Sequence, residues 1–331
     1  MTTPGTYPST VTISFSNVNS VFTLTTPSPM NTNYRFATPT YTPTVNPIPT
    51  VSAATFPMNI LHGRGKAGPA PAPLSPFSTV YTTPGSWTAP GPGNISMLVV
   101  AGGGAGGSNG PPTARGGGGG AGGYIQYASN FPVTGGVTYY FTIGPGGAGP
   151  GGVAVVVANG APGQPTTVRL TSPSGPILAQ AIGGGGGGGS GPGQPGGSGG
   201  GNNSLGTTAG TGTAGQGFPG GTSAPGRAGG GGGMAGSGGP GPAPTVAQSL
   251  SGTGRTFTIG GTPYGMGGGG TGGAYGNSAP VYPLYGGGTN TPVSPFLLEA
   301  NKYGAGGHGL APGTAGTGGA GYQGVVIIAY P

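Results

Sequence analysis

Apolar residues along this chain come in short runs, each stopped by glycine or proline. Val11, Ile13 and Phe15 alternate with Thr12 and Ser14, the pattern of a half-buried strand, and after the turn-forming 17–20 a second strand is expected at 21–25. Residues 79–88 read as a strand with a turn, and 95–100 as a continuous apolar strand. A further strand is expected at 124–128, and 137–143 places Val137, Tyr139, Phe141 and Ile143 on one face. Runs at 168–171 and 177–182 flank Ser172-Pro-Ser-Gly175, which predicts a hairpin. The chain closes on Val325-Val-Ile-Ile-Ala-Tyr330. These strands cluster in 79–182 and at the C-terminal end, so the last one is expected to return and pair with the early ones, making 183–323 an excursion from one β-layer. No helix of consequence is expected; 294–302 has room for one turn.

Between the strands stand blocks of glycine, among them 102–104, 116–120 and the seven consecutive glycines 183–189, the first and last of these following on apolar runs. Such segments have no side chains to bury. If ordered, they take the extended left-handed helix with three residues per turn that polyproline also adopts, and this form makes no internal hydrogen bonds. Several such helices side by side satisfy one another's N–H and C=O groups, and side chains would hold them apart. Ordering glycine is entropically expensive, so the bundle needs a hydrophobic anchor. Strands ending at Val100, Ile143 and Ile182 supply it. The predicted fold is all-β: a small antiparallel β-layer or sandwich anchoring a bundle of polyglycine II helices, with an extended N-terminal attachment segment.

Composition divides the chain. Residues 1–77 hold four glycines and recurrent prolines, whereas the whole chain has 87 glycines and 39 prolines in 331 residues. A β or extended attachment segment is assigned to 1–66, a stiff Pro-rich linker to 67–77, and the glycine-rich domain to 78–331. Glycine and proline at more than a third of the residues read as low complexity on their own; glycine does not fall at every third position, which excludes collagen. Charge is sparse, with eight Lys and Arg against one acidic residue, Glu299. The cations are scattered, so no phosphate-tracking patch forms and nucleic acid is not an expected partner. The runs 153–158 and 325–330 are far below the roughly 20 residues that span a bilayer. No membrane insertion and no signal peptide are expected.

Four stretches carry a resemblance. Val80-Tyr-Thr-Thr-Pro-Gly-Ser-Trp87 leads to Ile95-Ser-Met-Leu-Val-Val-Ala-Gly-Gly-Gly104. Next come Gly116–Tyr124, and finally Gly321-Tyr-Gln-Gly-Val-Val-Ile-Ile-Ala-Tyr330. In this order they resemble the glycine-rich domain of bacteriophage tail-fibre and adhesin proteins, over residues 78–331. The resemblance implies a virion protein, in the tail rather than the capsid and made in the host cytoplasm, whose distal loops bind the host reversibly. Implied partners are other virion proteins through 1–77 and a bacterial surface glycan or outer-membrane protein through the loops. A homo-oligomer, such as the trimer common among fibres, is also implied. The alternative is a purely structural virion component, a capsid decoration or a fibre shaft or head. An ice-binding face would need regular small residues, which the irregular inserts do not provide.

Candidate chemistry is thin. Glycoside hydrolysis needs two carboxylates and a Ser–His–Asp triad needs an Asp; the chain has Glu299 alone, and His62 and His308 lie in different regions. No catalytic residue, cofactor or metal site is assigned, and the protein is not expected to be an enzyme. A solvated or locally hydrogen-bonded His308 and a local Glu299–Lys302 ion pair are expected. Gly-x-Gly-x-x-Gly matches carry no information among so many glycines. The densest aromatic grouping outside the strands lies in 263–303, with Tyr264, Tyr275, Tyr282, Tyr285, Phe296 and Tyr303 as candidate receptor contacts. The same rings can instead cover the glycine bundle.

Overall fold

The computed structural model describes residues 78–108, 115–150, 157–224, 226–241, 249–273, 286–288, 302–310 and 318–330, together with the backbone of three strands nearer the N-terminus. The chain divides into two units, Met1–Ala72 and Pro73–Pro331. The first holds β1 (Thr10–Ser14), β2 (Val21–Thr25) and β3 (Thr40–Thr44), an antiparallel sheet in that order. The alternation at 11–15 and the run at 21–25 give β1 and β2 as expected. β3 was not expected, because prolines recur through that stretch; Pro43 is tolerated because β3 is an outer strand of the sheet.

The second unit is built on β4 (Ser78–Tyr81), β5 (Gly85–Thr88), β6 (Gly93–Val100), β7 (Tyr124–Val133), β8 (Thr138–Thr142), β9 (Thr166–Leu170), β10 (Ile177–Ala181), β11 (Arg255–Ile259), β12 (Thr262–Met266) and β13 (Val325–Ala329). β13 lies between β4 and β6 in the sheet β4-β13-β6-β7, so the last strand does return to the first ones. A second antiparallel sheet runs β10-β9-β8-β5 and contains the expected β9–β10 hairpin. Residues 79–88 are not one strand with a turn: Pro84 follows β4, and β5 pairs with β8 in the other sheet.

Why the central strands read as unbroken apolar runs is clear from their two faces. On one face Ile95, Met97, Val99, Val326 and Ile328 pack against Tyr139, Phe141 and Val168 of the second sheet. On the other, Leu98, Val100, Val325 and Ile327 pack against Phe257, Ile259 and Met266 of the β11–β12 hairpin. Strands covered on both faces need no polar side. The hairpin lies inside the stretch expected to hold only glycine blocks and inserts. Its turn is Gly260-Gly261, with φ of 55° and 78°, the left-handed pair that a two-residue hairpin loop requires.

Among the described residues there is no α-helix. The glycine blocks form the polyglycine II bundle, identified by hydrogen bonds that repeat every third residue. In 101–108 the successive N–H groups donate to Gly123, Gln164, Tyr322, Gly120, Ala161, Gly319, Gly117 and Ala158, at 2.8–3.1 Å. Three neighbours thus recur in rotation, as three residues per turn demands. Carbonyls of the same segment accept from three other segments, through Gly184 and Gly187, Gly147, and Gly307 and Leu310. The helix at 101–108 is therefore surrounded by six others. The helix at 116–123 repeats the arrangement, donating in rotation to 304–310, 182–188 and 229–232 and accepting from 101–107, 198–201 and 270–273. Neighbours run both parallel and antiparallel, since partner numbers rise in some rows and fall in others.

Candidate functional site

The bundle has a sheet end and a far end. At the sheet end β6, β8 and β10 run directly into 101–108, 144–150 and 183–189. Side chains close the junctions: Gly144 N–H donates to Thr166 Oγ1 at 3.0 Å and Ile182 N–H to Gln216 Oε1 at 2.9 Å. Seven residue steps from Ala101 to Ser108 span roughly 22 Å at about 3.1 Å per residue. Ser108 bonds to Ala158, Gly273 to Gly116 and Leu310 to Gly107, so these three residues lie at the far end.

The far end also carries a cleft of about 370 Å³, where the helices at 183–189 and 196–202 finish. Two asparagines shape it. Asn159 Oδ1 accepts from the N–H groups of Gly189 (2.8 Å) and Gly191 (3.1 Å). Asn203 Nδ2 donates to the carbonyls of Gly189 (2.7 Å) and Gly191 (3.3 Å), while its Oδ1 accepts from Leu205 N–H (3.1 Å) and Gly206 N–H (2.8 Å). An amide that can both donate and accept thereby ties the end of one glycine helix to the loop after another. Ser190, Thr207 and Thr208 hydroxyls and the apolar side chains of Val157 and Leu205 are exposed around this floor. Among the described residues no charged or aromatic side chain lines it. The sequence signal for this site was the interruption of the glycine rhythm by Asn159 and by Asn202-Asn203-Ser204, polar residues where the lattice otherwise takes glycine.

Of the aromatic candidates, Tyr264 and Tyr303 are described. Both are half-buried against the cluster formed with the β11–β12 hairpin, Tyr264 as part of β12 itself. Tyr303 also stacks on Tyr322, with centroids 5.9 Å apart, and precedes Gly304, whose carbonyl accepts from Gly122 beside β7. These two rings therefore sit at the sheet end and are not brought to the cleft. Tyr275, Tyr282, Tyr285 and Phe296 lie outside the described residues, as do His62 and Glu299 and with them the expected Glu299–Lys302 pair.

His308 departs from the expectation of a solvated or locally hydrogen-bonded side chain. It is wholly buried in the bundle and neither ring nitrogen has a hydrogen-bond partner. Burial among backbone disfavours the charged ring and holds its pKa down at about 4. Arg255 is placed over the rings of Tyr124 and Phe257, at 5.2 and 5.5 Å, and covers the hairpin layer. Among the described residues no group of three His, Cys, Asp or Glu could hold a metal, and no helix is long and apolar enough to cross a membrane.

A family model described as a glycine-rich domain matches residues 79–331. No curated protein matches the chain. The match covers most of the chain and the whole of the sheet-and-bundle unit, and the chain belongs to this glycine-rich domain family.

Proposed function

We propose that this member of the glycine-rich domain family is a bacteriophage virion protein, a tail-fibre or tail-tip component that attaches through residues 1–77 and meets the host surface with the far end of its bundle. One observation carries the reading: the cleft opens at the end of the bundle remote from the sheets. A lattice of backbone-paired glycine offers almost no side chains for recognition, so it serves as a pedestal, and variation is tolerated in what it lifts. The order of strand and glycine motifs, which resembles that of phage tail-fibre adhesins, supports the same assignment. Binding is reversible and non-enzymatic, in keeping with a single acidic side chain in the whole chain. Tyr275, Tyr282, Tyr285 and Phe296, in the sequence that follows Gly273, are the aromatic groups best suited to contact a receptor. Tyr264 and Tyr303 are better suited to covering the hydrophobic layer.

The test replaces 274–285 with a Gly-Ser segment of equal length in particles that carry the protein. Adsorption to the bacterium those particles infect should fall at least tenfold while particle number and morphology are unchanged. Unchanged adsorption with fragile or missing particles would instead identify a purely structural component.

A further inference from the structure

We propose that the far-end cleft is a binding site for one neutral sugar residue of a surface glycan, with Ser190, Thr207 and Thr208 bonding its hydroxyls and Val157 and Leu205 meeting its C–H face. This rests on the reading that the far end faces the host. The chemistry of the lining selects the ligand class. Anionic ligands need cations and flat aromatic ligands need a ring to stack on; among the described residues that line the cleft there is neither. Three hydroxyls, each able to donate and accept, beside two exposed aliphatic side chains match the alternating O–H and C–H surface of a saccharide. Leu205 is 74% exposed and Val157 46% exposed, which leaves apolar surface of both open to a ligand. The volume of about 370 Å³ falls at the lower end of small-molecule sites, about 300–1,000 Å³.

The floor is built before any ligand arrives. Asn159 and Asn203 use their side-chain amides on the backbone of 189–191 and 205–206, so the loops on both sides of the cleft are held by fixed bonds. A preformed site loses little freedom on binding. With no aromatic platform and no charge, affinity of a single site is low, and firm attachment depends on several copies engaging one glycan.

The experiment is saturation-transfer NMR on the full chain with the methyl glycosides of glucose, galactose, mannose and N-acetylglucosamine, and with methyl glucuronide as the acidic probe. At least one neutral glycoside should receive saturation. Ser190→Trp, on the exposed rim, should abolish the transfer, and Thr208→Val should weaken binding about fivefold, the worth of one hydrogen bond. Ser86→Trp, exposed on β5 at the sheet end, should leave it unchanged. The proposal is overturned if no neutral glycoside responds, if only the glucuronide does, or if Ser190→Trp retains the signal with its fold confirmed by circular dichroism. Adsorption of particles carrying Ser190→Trp separates the two readings. Lost transfer with full adsorption leaves a sugar site that is not the host receptor site, whereas retained sugar binding in particles indifferent to 274–285 replacement removes the adhesin reading alone.

Discussion

Gly186, in the middle of the seven-glycine block, shows what the lattice demands of a residue. A Cβ there would lie 1.9 Å from the Gly160 carbonyl oxygen, and one on Gly104 would lie 2.2 Å from that of Gly185. Both obstacles are backbone in a neighbouring helix, which cannot rotate away. Ala105 and Ala121 are also wholly buried, yet their methyl groups are accommodated, so the bundle has room for a side chain at particular positions only. Gly104→Ala and Gly186→Val should each cost about 3 kcal/mol or more by overpacking, and Ala105→Gly much less, read by chemical denaturation. His308 supplies a second expectation. Its folded pKa of about 4 lies below the ordinary 6.5, so the folded state binds fewer protons than the unfolded state between those values. Stability is full above about pH 6.5 and falls by about 3 kcal/mol as pH drops towards 4, levelling below that. Glu299 is the one acidic side chain, so the usual carboxylate route to acid unfolding contributes little. His308→Leu should flatten the pH profile of unfolding over that window; an unchanged profile would show that the ring is not buried as a neutral group.

At the scale of elements, β13 joins everything. Ile328 faces the second sheet and Ile327 the β11–β12 hairpin, and both are wholly buried. Either truncation to Ala should cost about 2–5 kcal/mol. Ile327→Ala should in addition loosen the hairpin, seen as faster amide exchange in 255–266 than in β9, whereas Ile328→Ala should do the reverse. The strands around this core were legible because apolar runs bounded by glycine and proline carry a strong signal. The β11–β12 hairpin was not read, although Gly260-Gly261 between Thr256-Phe-Thr-Ile259 and Thr262-Pro-Tyr is a hairpin signal; among so many glycines, a functional pair looks like any other. The separation of β4 from β5 was equally hidden, since which sheet a short strand joins depends on partners far along the chain. That the strands ending near Val100, Ile143 and Ile182 each launch a glycine helix followed from the sequence. Which helices become neighbours did not, because glycine has no side chain with which to specify a partner. The register is set instead by the strands at one end and by polar pins such as Asn159 and Asn203 at the other.

Across the whole sheet-and-bundle unit, stability and recognition are divided between the two ends. Hydrophobic burial is concentrated in the three stacked β layers, and the bundle adds backbone pairing that offsets the large entropy cost of ordering glycine. Recognition is assigned to the far end, where the cleft opens. Changes at Ser190 or in 274–285 should therefore alter binding with little effect on unfolding, and changes at Gly104 or Gly186 should do the opposite. The central claim is that the glycine blocks are a cooperative hydrogen-bonded lattice anchored on the sheets. Residue-resolved amide hydrogen exchange tests it most directly. The N–H groups of 103–107 and 117–122 each bond to a neighbouring helix in the bundle interior, and they should exchange as slowly as those of β6, with protection approaching the global unfolding free energy. Exchange of these glycine amides at the rate of an unstructured chain, while β6 and β13 remain protected, would contradict it.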